Sequence, residues 1–125
     1  MTNREIYELY GALIRNQQLK FCKTAYAAFR NLGVVRDQGE TIDKMRLALL
    51  REYGDEENGN YKLVAENLQA FQTKEKELMD MECELELYKV PRDVFDGDAE
   101  RLITEDGVSM GDCATLERYL VDDEV

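Results

Sequence analysis

The chain has no histidine and no tryptophan, and it carries a single proline, Pro91. The missing histidine excludes most: Ser-His-Asp and Cys-His nucleophile activation, His-ligated metals and the usual general base near neutral pH all need it. Catalysis would fall to carboxylates, Lys or Tyr alone. Cys22, Cys83 and Cys113 are an odd, widely spaced set with no C-x-x-C, so neither a disulfide framework nor a zinc site is expected. They read as reduced, partly buried thiols. No apolar run approaches the ~20 residues of a membrane helix, Leu47 to Leu50 being typical. The first residues, MTNREIYELYG, carry charges where a secretory signal needs an apolar stretch, so a cytoplasmic location is expected. No phosphate-cradling glycine loop and no nucleophile elbow is present.

What is present is enough for one modest core: 125 residues, 44% of them hydrophobic and 34% charged, read as a single domain over 1–125. The formal charge of −11 is unevenly divided. Residues 1–50 hold 8 Lys+Arg against 5 Asp+Glu, a net of +3, whereas residues 51–125 hold 8 against 22, a net of −14. The acidic half repels phosphate backbones, so direct nucleic-acid binding is not expected and a basic protein face is the natural complement.

Thr2 with Glu5 forms a capping-box pattern, followed by Ile6, Leu9, Tyr10 and Leu13 on one helical face, giving a helix over about 3–17. Phe21, Ala25, Ala28, Leu32, Val35, Ile42, Leu49 and Tyr53 follow at spacings near three and four, with Gly39 and Arg46 as lapses. The pattern resembles a coiled-coil seam and predicts one long helix over about 20–53, with Gly54 at its end. Gly33 and Gly39 each cost it on the order of 1 kcal/mol relative to Ala. A seam this long must be covered by the first helix or by a second copy of the chain, as in a homodimer. On the same helix Lys20, Lys23, Arg30, Arg36, Lys44 and Arg46 read as a solubilising stripe, with Tyr26 and Phe29 as packing residues.

Asn58-Gly59 marks a tight reversal and Tyr61 to Val64 a short strand. Leu68, Phe71 and Leu78 mark a helix over about 65–81. In residues 83–90, Cys83, Leu85 and Leu87 alternate with Glu84, Glu86 and Tyr88, which predicts a half-buried strand with an acidic outer face, ended by Pro91 and paired with 61–64. Residues 92–107 read as turn-rich and acidic. Ser109 and Asp112 then suggest a second capping box, opening a helix over about 110–122. The predicted fold is mostly α with a small two-stranded β element (α+β), built on a long central helix with the N-terminal helix packed on it.

Carboxylate pairs such as Glu84 with Glu86, or Asp96 with Asp98, are what glycosidase-type or magnesium-dependent chemistry requires. Among 27 acidic residues such proximity arises by accident, so a solvated acidic face accounts for them more simply. DVFDGDAE departs from the calcium-loop order. No cofactor and no metal is expected. The acids Glu75, Glu77, Asp80, Glu82, Glu84 and Glu86 form instead the candidate partner-binding face, since their mutual repulsion would be relieved by a basic partner. A solvated surface serving solubility is the plainer alternative.

The segments IYELYGALIRNQQLKFCKTAYAAFRNL and GDEENGNYKLVAENLQAFQTKEKELMDMECELELYKVP, within residues 3–91, resemble a family of small phage and prophage proteins of unknown function from Gram-positive Firmicutes. The likeness lies in an I-x-x-L-x-x-AL-type helix, an ENGN-Y turn and an E-x-ELM-x-x-E-x-E ending that runs to KV. Arg30-Asn31-Leu32 stands where the family carries lysine first, and residues 92–125 have no counterpart. The resemblance implies a phage gene acting in a bacterial cytoplasm and assigns no catalytic residue. It is compatible with an acidic, non-enzymatic inhibitor of a host-defence or nucleic-acid-acting protein, of the kind that imitates DNA or blocks CRISPR nucleases. A virion-assembly or tail accessory protein with a helical oligomerisation surface, and a carboxylate-based enzyme, are the alternatives.

Overall fold

A computed structural model describes residues 1–123. It is mostly helical: α1 (Asn3–Arg15), α2 (Lys23–Tyr53), α3 (Ala65–Asp80), α4 (Arg92–Thr104) and α5 (Met110–Leu120). Four short strands, β1 (Gly54–Glu57), β2 (Asn60–Leu63), β3 (Val90–Pro91) and β4 (Val121–Asp122), complete it. No helix among the described residues is long and apolar enough to cross a membrane.

Helix α1 starts where its capping box places it. The Thr2 hydroxyl accepts from the Glu5 N–H at 3.2 Å and the Glu5 carboxylate accepts from the Thr2 N–H at 2.9 Å, so two otherwise orphaned donors are satisfied. Ile6, Leu9 and Leu13 are buried against α2, which supplies Ala25, Ala28, Leu32, Val35 and Ile42. The helix pair is thus the spine of the core, and α3, α4 and α5 pack around it.

The long helix departs from expectation at several places. Phe21 is 83% exposed, because α2 begins only at Lys23 and Phe21 precedes its N-cap, Cys22, outside the helical register. Tyr26 and Phe29 are exposed too, so they are surface and not packing residues. Gly39, a lapse in the sequence pattern, is a buried contact point: a Cβ there would stand 2.5 Å from the Tyr10 ring.

The β elements are arranged differently from the predicted pairing of 61–64 with 83–90. β2 pairs antiparallel with β1 in a hairpin, Gly54 opposite Leu63 and Glu57 opposite Asn60. Asn58 (φ 51°) and Gly59 (φ 83°) are both left-handed, as a two-residue turn matched to strand twist requires. Closing this short loop costs far less chain entropy than bringing residues 83–90 across a helix. Residues 83–88 alternate between half-buried and exposed side chains, the pattern of an extended segment, but 83–89 belong to no ladder. Only β3 at their end pairs, parallel with β4, Val90 opposite Val121.

The segment 92–107, expected as turns, contains α4. Its inward residues Phe95, Asp98, Ala99 and Leu102 fall at helical spacing, and Phe95 and Leu102 are fully buried. Asp98 accepts from the N–H and hydroxyl of Thr24 at 3.1 and 2.8 Å, capping the start of α2 from outside. Arg101 donates to the carbonyls of Lys20 and Phe21 at 3.0 and 3.1 Å and faces the buried Asp106 carboxylate at 3.8 Å. Together they clamp the corner between α1 and α2.

At the start of α5, Ser109 caps Asp112 at 3.0 Å, but the reciprocal half of the expected box is absent. The Asp112 carboxylate turns to Arg15 at 2.7 Å and Asn16 at 2.9 Å, tying α5 to the end of α1. Arg92 similarly links α4 to α5 through Glu117 and to Asp123, just past the end of β4.

Candidate functional site

The six acids do not form one continuous uncompensated row. Glu75, half-buried on α3, pairs with Arg46 of α2 at 3.2 Å. Glu77 meets Lys74 at 3.5 Å. Asp80 receives Lys76 at 2.9 Å and Arg4 at 3.0 Å, and these hydrogen bonds, Lys76 first, hold its carboxyl below the usual range. Glu82 lies 3.5 Å from the N-terminal ammonium. The repulsion expected along 75–87 is therefore largely answered within the chain for these four.

Glu84 and Glu86 are different: both are exposed and neither has an ion pair among the described residues. They project from the extended ribbon 83–89, whose inner side chains Cys83, Leu85 and Leu87 pack against the core. The alternation predicted from the sequence is thus real, although no strand ladder accompanies it. The ribbon is held at its ends. The N–H of Cys83 donates to the Met1 carbonyl at 2.8 Å, while the N-terminal ammonium donates to the Cys83 carbonyl at 3.1 Å. At the other end the fully buried Asn31 donates to the Tyr88 carbonyl at 2.6 Å and accepts from the Tyr88 N–H at 2.7 Å. Asn31 occupies the inward stripe of α2, where a polar amide among alanine, leucine and valine was the signal for such a role.

A second surface, unforeseen in the sequence, lies beside this ribbon. Exposed Phe21, Tyr26 and Tyr88 flank a groove of about 470 Å³ that is lined also by Val90, Pro91 and Val94 and by Lys23 and Lys89. Tyr26 meets Tyr88 edge-on with ring centroids 5.7 Å apart, and Arg30 covers the Tyr88 ring at 5.2 Å while donating to the Tyr26 hydroxyl. Aromatic exposure next to the basic positions of α2 was the missed clue.

Among the described residues no three His, Cys, Asp or Glu side chains gather to hold a metal ion. Burial pushes the Cys22 and Cys113 thiols up, which favours their protonated form. Cys22 serves as N-cap of α2, its sulfur accepting from the Ala25 N–H at 3.3 Å. No family model, curated protein or solved structure matches the chain.

Proposed function

We propose that this protein is a phage-encoded, non-enzymatic binding protein that works in the cytoplasm of an infected bacterium by docking a basic face of another protein. An inhibitor of a host-defence or nucleic-acid-acting protein is the form that best fits its acidic half. One observation carries the reading: Glu84 and Glu86 stand exposed and without an ion pair among the described residues, on a ribbon that is anchored at both ends. Held carboxylates of this kind steer a basic partner at little ordering cost. Glu75, Glu77, Asp80 and Glu82, already paired in the free protein, contribute to the field and less to direct contact. Imitation of DNA is correspondingly narrowed to the ribbon itself.

The test is a pull-down from host lysate with wild type and with Glu84→Lys/Glu86→Lys. The partner should be retained by wild type at low salt, released as salt rises, and lost on charge reversal. Equal retention by both proteins at low salt would remove the ribbon from the interface and the reading with it.

A virion-assembly role is favoured by a different observation, the exposed Phe21, Tyr26 and Tyr88 around the groove, an apolar surface suited to self-association. Presence in purified virions, together with concentration-dependent sedimentation abolished by Phe21→Ser, distinguishes it from the inhibitor.

A further inference from the structure

We propose that the ribbon 84–88 is a strand-addition site that takes an extended segment of a basic partner as a new β-strand along the edge facing α2. This deepens the proposed function and rests on it, since it presumes that the partner is basic. In extended backbone the N–H and C=O of successive residues point to alternate edges. Cys83 spends its pair on Met1, so the groups of Leu85 and Leu87 share that edge; Tyr88 spends its pair on Asn31, so those of Glu84 and Glu86 share the edge toward α2.

Asn31 already acts there as a one-residue strand, giving Tyr88 the donor and acceptor that a ladder neighbour would give. The backbone groups of Glu84 and Glu86 make no hydrogen bond within the described chain, and a groove of about 350 Å³ lined by Arg30, Val34, Glu86, Leu87 and Tyr88 runs beside them. An open edge with its ends fixed is a ready template for another chain.

Charge selects the occupant. A second copy pairing ribbon to ribbon would set Glu84 and Glu86 against the same carboxylates, which is unfavourable for side chains directly opposed. A partner strand with lysine or arginine on that face and small apolar residues on the other meets Glu84 and Glu86 outside and Val34 and Leu87 inside. Arg30, the one cation among the described residues lining the groove, is drawn onto the Tyr88 ring and the Tyr26 hydroxyl.

The probe is a synthetic peptide alternating lysine and valine, compared with the same peptide methylated on its main-chain nitrogens, both titrated onto the full protein. The plain peptide should bind and slow hydrogen exchange at the amides of Glu84 and Glu86, and methylation should weaken binding about tenfold or more, as loss of two or more ladder bonds implies. Equal binding of the methylated peptide would overturn strand addition while leaving a charge-driven basic partner in place. So would failure of both peptides beside a lysate partner still lost on Glu84→Lys/Glu86→Lys. Slowed exchange at Leu85 and Leu87 instead would overturn the choice of edge. Binding indifferent to salt and to that double reversal would bring down the proposed function itself.

Discussion

The ring of Tyr10 occupies the place where Gly39 would otherwise carry a side chain, its nearest carbons 2.5 Å from that Cβ position. This close approach lets α1 settle on α2, and it explains a glycine in the interior of a 31-residue helix despite the propensity cost. Gly39→Ala should therefore destabilise the fold by about 1–3 kcal/mol through overpacking, outweighing a helix gain of about 1 kcal/mol. Gly33, with nothing within 4 Å of its Cβ position, isolates the helix term. Gly33→Ala should be stabilising by up to about 1 kcal/mol. Urea midpoints of the two variants moving in the same direction would contradict this assignment.

Leu32 sits in the covered seam at 4% exposure, between α2 and its neighbours. Leu32→Ala should cost ~2 to 5 kcal/mol, the range for truncating a buried leucine. An unchanged denaturation midpoint would show that the seam is not the spine of the core.

How far the sequence foretold this arrangement follows from how local each signal is. The α1 cap, the length of α2 and the Asn58-Gly59 turn lie within a few residues of what they control, and each was legible. Helix α4 was not, because Asp96, Gly97 and Asp98 look like turn residues. Asp98 in fact faces inward as a cap for α2, so its polarity hid an otherwise helical run through Phe95, Ala99 and Leu102. Pairing of 61–64 went to the nearest chain, while the ribbon 83–89 was anchored by Met1 and Asn31, residues far away in sequence. At the candidate site, the alternation around Glu84 and Glu86 was legible. The cations that answer Glu75 and Asp80 come partly from α2 and α1, and only the fold brings them there.

Asp98→Ala should remove the external cap of α2 and cost about 0.5–2 kcal/mol, as lost N-caps do. Amide exchange at Thr24 should rise more than at Leu32 in the same protein. If both rise equally, Asp98 acts on global stability and not on the helix start.

Asp112 gives stability a pH dependence. Hydrogen bonds from Arg15, and secondarily Asn16, outweigh burial and hold its carboxyl below the ordinary aspartate value. A depressed folded pKa contributes stability that is complete above the unfolded value, near pH 4, and is lost as pH falls through the folded value. Asp112→Asn should lose about 1–2 kcal/mol at pH 7, typical of a charge-assisted bond with one exposed partner. Below about pH 4 the gap between the two proteins should narrow. A gap that stays constant from pH 7 to pH 3 would mean that the Arg15 pair contributes nothing.

Asn31 is the polar member of the seam, fully buried, with both halves of its amide committed to the Tyr88 backbone. Asn31→Leu keeps the branching at Cγ and adds apolar surface, yet it removes the donor and acceptor together, leaving a backbone N–H and C=O to be satisfied elsewhere. Each abandoned buried group costs about 1–3 kcal/mol, so the exchange should be destabilising despite the added hydrophobicity. Asn31→Asp keeps the acceptor but places an unpaired charge where no solvent reaches, and should be worse at neutral pH than at pH 3. The two variants separate hydrogen bonding from charge. Because Asn31 holds the Tyr88 N–H at one end of the ribbon, Asn31→Leu should also speed amide exchange at Tyr88 while the spine at Leu9 and Val35 stays protected. Uniform exchange across both regions would show that Asn31 supports the core as a whole and that the ribbon owes its position to Leu85 and Leu87 alone.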